Sequence, residues 1–301
     1  MSYPSHKRHG FTTSAVPEQF KTLRRMSAAE RTSLFHRILA EGVHGFCFSL
    51  YEEGQKPGDA VSEDQIRRRL AILRPHTNWI RSFSCTEGNE LIPLIARDMG
   101  FKTLVGAWLG KDPDKSLEEL AALVDLARQG LVDIAAVGNE VLYRDDLSEA
   151  QLLRHINEVK AQIPDIPVGY VDAYYEFVER PALVQACDLV LCNCYPYWED
   201  TAFEHALAHM QYMHQLALDT AGGKPVIITE TGWPSQGEGK DSARPSAANA
   251  MEYFILTQLW ARAGQIETFY FSSFDEAWKV DAEGDVGAYW GIWDCRGALK
   301  Y

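Results

Sequence analysis

Eight times along this chain a short apolar run, rich in β-branched or aromatic residues, gives way to a capped amphipathic segment, and this rhythm constrains the architecture more than any other feature. The runs fall at 43–50, 78–83, 103–108, 134–137, 168–171, 189–193, 226–229 and 268–272. Ser116-Leu-Glu-Glu119 and Ser148-Glu-Ala-Gln151 have the spacing of capping boxes, and Gly130 and Pro164 stop the helices that follow. Further helices are expected at 62–73, 89–99, 176–186, 201–218 and 246–263. Eight alternating pairs predict an α/β fold, a single (β/α)8 TIM barrel, because a doubly wound sheet commonly uses fewer strands. Residues 1–41 precede the rhythm and read as an N-terminal helical extension packing on the barrel at 42–301, with a helix over 27–41 capped by Ser27-Ala-Ala-Glu30. That helix closes the barrel floor or leads into the first strand. No stretch rich in Gly, Ser or Pro separates the parts.

In such a barrel the C-terminal strand ends build the functional face. Tyr51, Phe83, Trp108, Glu140, Asp172, Tyr195, Glu230 and Glu276 all fall there. Two stretches stand out. Val226-Ile-Ile-Thr-Glu-Thr-Gly-Trp-Pro-Ser235 is a β-branched run that delivers Glu230 and then breaks at Gly232 and Pro234, and Val132-Asp-Ile-Ala-Ala-Val-Gly-Asn-Glu140 repeats the device. One strand-end Glu is adequately explained as a helix cap or the partner of an Arg. Two in matched contexts are the equipment for cleaving a sugar acetal, which takes one acid to protonate the leaving oxygen and one carboxylate to attack the anomeric centre. Repulsion between them raises the pKa of one.

With 42 acidic against 29 basic residues the formal net charge is −13, which argues against nucleic acid or an anionic membrane as partner. No apolar run approaches the roughly 18 residues of a membrane span, and residues 1–25 lack an apolar signal core. The chain as given is therefore expected to be cytoplasmic without membrane contact, or periplasmic or extracellular if cut from a larger protein. Six cysteines include Cys192-x-Cys194 on one strand face, but no second pair or histidine cluster completes a zinc site. Buried free thiols and no metal are expected.

Other residues flank the two acids. An amide at Asn139 suits a sugar 2-hydroxyl, or else a turn. Cys194-Tyr-Pro-Tyr-Trp198 sets Tyr195, Tyr197 and Trp198 around a proline, where flat rings suit pyranose faces, although core packing explains Tyr197 and Trp198 equally well. Trp233 stands beside Glu230. Glu276 and Lys279 follow the eighth run, as site residues or an exposed ion pair. His44 reads as a core histidine.

Val137-Gly-Asn-Glu140, Tyr195-Pro-Tyr197, Thr229-Glu-Thr-Gly-Trp-Pro-Ser235, Phe274-Asp-Glu-Ala-Trp-Lys279 and Tyr289-Trp-Gly-Ile-Trp293 together resemble the successive signatures of glycoside hydrolase family 17, the β-1,3-glucanases and β-1,3-glucanosyltransferases. The likeness covers roughly 42–294 in order. It implies Glu140 as acid/base and Glu230 as nucleophile of a retaining, cofactor-free enzyme acting on β-1,3-glucan or laminari-oligosaccharides through a covalent glucosyl-enzyme, by hydrolysis, by transfer, or chiefly by transfer. Asn139, Tyr195, Trp233, Glu276 and Lys279 would form the surrounding shell. The second strand departs from the family's Arg-x-Tyr, since Arg81-Ser-Phe83 places Phe where a hydroxyl is usual. Cys85-Thr-Glu-Gly-Asn-Glu90 and Tyr51-Glu-Glu-Gly54 look more like bacterial members. A carbohydrate-binding barrel without catalysis is the rival reading.

Overall fold

The computed structural model describes residues 10–12 and 15–301, so residues 1–9 and 13–14 of the N-terminal extension lie outside the described residues. Eight parallel strands close in sequence order: β1 (Val43–Cys47), β2 (Thr77–Ser82), β3 (Lys102–Ala107), β4 (Ile134–Asn139), β5 (Val168–Ala173), β6 (Val190–Asn193), β7 (Val226–Thr231) and β8 (Thr268–Tyr270). Pairing of β8 with β1, through Gly45 with Phe269 and Phe46 with Tyr270, leaves no open edge. Every residue of β4 and β5 is buried, as strands covered on both faces require. This is the (β/α)8 barrel that the rhythm predicts.

Two helices precede the barrel, α1 (Glu18–Arg25) and α2 (Ala28–Glu41). Around it run α3 (Glu63–Leu73), α4 (Leu91–Asp98), α5 (Pro113–Arg128), α6 (Glu149–Gln162), α7 (Tyr174–Glu179), α8 (Pro181–Ala186), α9 (Ala206–Thr220) and α10 (Ala247–Gly264), with the short α11 (Val280–Glu283) after β8. The capping boxes at Ser27 and Ser148 form both of their hydrogen bonds. α2 leads into β1 and packs on α10, with the rings of Phe35 and Phe254 5.2 Å apart. Arg24 and Arg31 bind the fully buried Glu252 of α10 at 3.3 and 3.2 Å, a contact that ties both leading helices to the barrel wall.

Three local expectations are corrected. α5 starts three residues before Ser116: Asp112 caps it by accepting from Asp114 and Lys115, Pro113 occupies the first helical position, and Ser116 sits inside the helix. The helix expected over 176–186 is two, because Pro181 forces Arg180 out of helical geometry, at φ −130° and ψ 81°. α9 starts only at Ala206, after a single 3₁₀ turn at Phe203–His205.

Candidate active site

β4 and β7 end in different ways, and both endings aim a carboxyl into the mouth of the barrel. At β4 the backbone turns left-handed, with φ +90° at Gly138 and +51° at Glu140, and the Glu140 N–H donates to Val171 O at 2.8 Å. A Cβ at position 138 would stand 2.8 Å from Val141 Cγ2, so only glycine fits. The positive φ of Glu140 is a strained choice for a side-chain-bearing residue and is held by that hydrogen bond. At β7 the strand continues through Glu230 to Thr231, and Gly232 is required by close approach: a Cβ there would lie 2.0 Å from Phe271 O.

A residue not foreseen from sequence joins the two acids. The register of β6 on β7 sets Asn193 beside Glu230, and Asn193 Nδ2 donates to Glu140 Oε1 at 2.8 Å and to Glu230 Oε1 at 3.1 Å. Two contacts on one nitrogen hold one oxygen of each acid close to the other. Thr229 Oγ1 donates to Asn193 Oδ1 at 2.9 Å and so orients the amide.

The two carboxyls are served unequally. Glu230 accepts from Arg81 Nη1 at 2.8 Å and from the Tyr195 hydroxyl at 2.8 Å in addition to Asn193. Glu140 has Asn193 as its side-chain donor. Burial pushes the Glu140 carboxyl up to about 7, and the charge of Glu230 adds to the shift, against the opposing pull of Asn193, Arg144 and Arg81. Desolvation is therefore the larger cause and repulsion between the acids the second. Burial, with Glu230 next, holds the Tyr195 phenol well above its usual value, so it remains a donor.

Arg81 is itself buried and holds the site together. Its Nη2 donates to Asn139 Oδ1 at 2.6 Å, which fixes the amide beside Glu140. Its guanidinium lies 4.1 Å from the ring centroid of Phe83. Phe83 thus replaces the expected hydroxyl with a ring that packs on the cation bound to Glu230.

The cleft has a volume of about 430 Å³, and Tyr51, Phe83, Asn139, Glu140, Glu230, Glu276 and Lys279 line it as the sequence reading expects. Glu276 and Lys279 form an ion pair that is buried, which removes the alternative of an exposed surface pair. Glu276 Oε1 also accepts from Ser49 Oγ and, at 3.1 Å, from Trp278 Nε1. Trp108 presents an unusually open face, 41% exposed, with Arg144 4.4 Å from its ring centroid.

Six expected site residues do not line this cleft: Asp172, Trp233, Tyr197 and Trp198, which pack elsewhere, and Arg81 and Tyr195, which stand behind its wall. Asp172 is fully buried: it accepts from the Tyr170 hydroxyl, from Tyr143 N at 3.3 Å and from Ala173 N at 2.7 Å, and so braces the loop after β4 against the end of β5. Trp233 and Tyr197, each 1% exposed, pack against each other with ring centroids 5.2 Å apart, and Trp233 Nε1 donates inward to Arg244 O at 3.0 Å. Trp198 joins them through Tyr197 and Trp290. These rings form an aromatic core, since their edges are saturated by one another. Arg81 and Tyr195 act one layer behind the cleft wall, through Glu230.

Besides Asn193, the sequence reading missed Glu119, Ser49 and Trp278. Glu119 is 1% exposed and takes four donors, Ser84 Oγ at 2.6 Å, Cys85 N at 2.8 Å, Trp108 N at 2.9 Å and Thr86 Oγ1, so that it pins the loops after β2 and β3 to the cleft wall. All six cysteines are free, with Cys192 and Cys194 Sγ 3.9 Å apart on one face of the chain. Among the described residues no three metal-ligating side chains cluster, and no helix is long and apolar enough to cross a membrane.

Residues 45–291 match the model of the BtgE/BtgC glycoside hydrolase domain. A glucan 1,3-β-glucosidase of Candida albicans is 31% identical over 276 residues, covering 82% of this chain and 89% of that protein. A solved glycoside hydrolase family 17 β-1,3-glucanosyltransferase from Rhizomucor miehei superposes with TM-score 0.77 at 28% identity, over 86% of this chain and 96% of that one. An active-site mutant of the Rhizomucor miehei β-1,3-glucanosyltransferase, in complex with laminaritriose, gives 0.78 at 27% over the same shares. These relatives are fungal, so the bacterial likeness read from 51–54 and 85–90 finds no support in them.

Proposed function

Because the chain belongs to the BtgE/BtgC glycoside hydrolase family, we propose that it cleaves β-1,3-glucan with retention of configuration and passes the glucosyl group to water or to a sugar hydroxyl. The observation that carries the reading is the Asn193 amide holding two carboxyls of unlike surroundings in one cleft. Glu230, held by hydrogen bonds from Arg81 and Tyr195, attacks the anomeric carbon. As that C–O bond forms, the glycosidic C–O bond breaks, and Glu140, whose carboxyl holds its proton up to about pH 7, delivers it to the departing oxygen. The resulting carboxylate of Glu140 then takes a proton from the incoming hydroxyl, which attacks the same carbon and releases Glu230. The shared Asn193 amide, which keeps one oxygen of each acid near the other, supports the retaining arrangement over the inverting one.

Transfer competes with hydrolysis when a second glucose unit binds well enough to outcompete water. The solved likeness to a glucanosyltransferase supports transfer, as do the rings of Tyr51, Phe83, Trp108 and Trp278 along the cleft. Incubation with laminari-oligosaccharides at rising concentration is expected to give both shorter and longer products. Longer products absent at every concentration would restrict the activity to hydrolysis, and an unchanged substrate would refute the reading.

A further inference from the structure

Six carboxyls line the cleft, and five have protein partners. Glu87 faces Lys115 at 3.1 Å, Glu119 takes four donors, Glu140 and Glu230 share Asn193, and Glu276 binds Lys279, Ser49 and Trp278. Glu283, the last residue of α11, is the exception. Its side chain is half-buried, but its Oε2 is shut off from solvent and has no hydrogen-bond partner.

An acceptor in that position is costly unless something meets it. Its neighbours make matters worse. Burial pushes the Glu283 carboxyl up to about 7, Lys279 opposes the shift, and the charges of Glu276, Glu140 and Glu230 add to it. Lys279, the cation on this wall, is already committed to Glu276. No protein donor is therefore left to satisfy Glu283, whereas a sugar entering the cleft brings hydroxyl donors on every ring.

We propose that Glu283 is a sugar-binding residue, its unpartnered Oε2 accepting a hydrogen bond from a hydroxyl of the glucan chain in the cleft. The inference rests on the proposed activity toward β-1,3-glucan. α11 then serves to carry this carboxyl into the cleft beside Lys279 and Ala282, and occupancy by substrate relieves an acceptor that the folded protein leaves unmet.

The test measures laminaritriose binding by calorimetry in a Glu230→Ala background, where the ligand stays intact. Adding Glu283→Leu, of similar size but without an acceptor, is expected to weaken binding about tenfold or more, the usual effect of losing a hydrogen bond to a charged group. Glu283→Gln keeps one acceptor oxygen and is expected to weaken it by less, and it serves in place of the leucine variant should that fail to fold. Affinity for laminaritriose unchanged within about twofold in both variants would overturn the inference and leave Oε2 as a water site. If the wild-type protein leaves laminari-oligosaccharides intact and the Glu230→Ala parent does not bind laminaritriose, the β-1,3-glucan reading and this inference fall together.

Discussion

The ends of β4 and β7 deliver the same side chain to the same cleft and treat it in opposite ways. Glu230 meets an arginine, a phenol and an amide, whereas Glu140 is offered the shared amide and is desolvated. Three donors hold the carboxyl at β7 and burial favours the neutral form of the one at β4, an asymmetry that supports the proposed division into nucleophile and acid. The lesson is that the roles reside in the neighbours. The motifs around the two residues alone do not distinguish them.

Removing the better-served acid should have the largest effect. Glu230→Ala is expected to lower kcat on laminari-oligosaccharides by about 10⁴-fold or more, as loss of a nucleophile does, with the protein still folded by circular dichroism. Glu140→Ala should cost roughly 10²–10⁴-fold on the same substrates but far less on an aryl glucoside whose leaving group needs no proton. Equal losses on both substrate types would break the comparison.

Asn193→Ala sharpens it. Loss of a donor shared by two carboxyls is expected to lower kcat by roughly 10- to 100-fold. It should also shift the pH profile. In the native enzyme kcat/KM is expected to fall as pH rises through about 7, where Glu140 would lose its proton. Asn193 stabilises the ionised form of Glu140 and so lowers its pKa, and its removal should move this limb to higher pH. Removing the charge of Glu230 acts the other way, so NMR titration of Glu230→Gln should find the Glu140 carboxyl below its native value. Shifts of the same sign in the two variants would show that the electrostatic account is wrong. The smallest kinetic effect is expected from Trp233→Leu: its ring is buried among Tyr197, Phe203 and Tyr253, so thermal stability should drop by about 3 kcal/mol or more while KM stays nearly constant.

How much of this could be read from sequence follows from what each signal encodes. The barrel was legible because eight buried parallel strands must each be written as an apolar run, and the two acids because they interrupt such runs at their ends. Asn193 also ends an apolar run, in Leu191-Cys-Asn-Cys-Tyr195, but a neutral amide there advertises no chemistry; its importance comes from lying in register with Glu230, a fact of tertiary pairing. Glu119 was hidden by a competing local pattern, since Ser116-x-x-Glu119 has capping-box spacing while Asp112-Pro113 is the stronger start signal and leaves Glu119 free to bind the loops. Trp233 and Tyr197 mark the opposite limit. Aromatic composition near a cleft does not say which rings face sugar and which face one another.

The assignment of roles to Glu140 and Glu230 is tested most directly by azide rescue with an activated β-glucoside of laminari type, read by the anomeric configuration of the glycosyl azide. In Glu140→Ala the covalent intermediate still forms on Glu230 and azide replaces it from the opposite face, so the account predicts the β-azide. In Glu230→Ala azide takes the place of the missing nucleophile, so the α-azide is predicted. The β-azide from Glu230→Ala and the α-azide from Glu140→Ala would contradict the account and exchange the two roles.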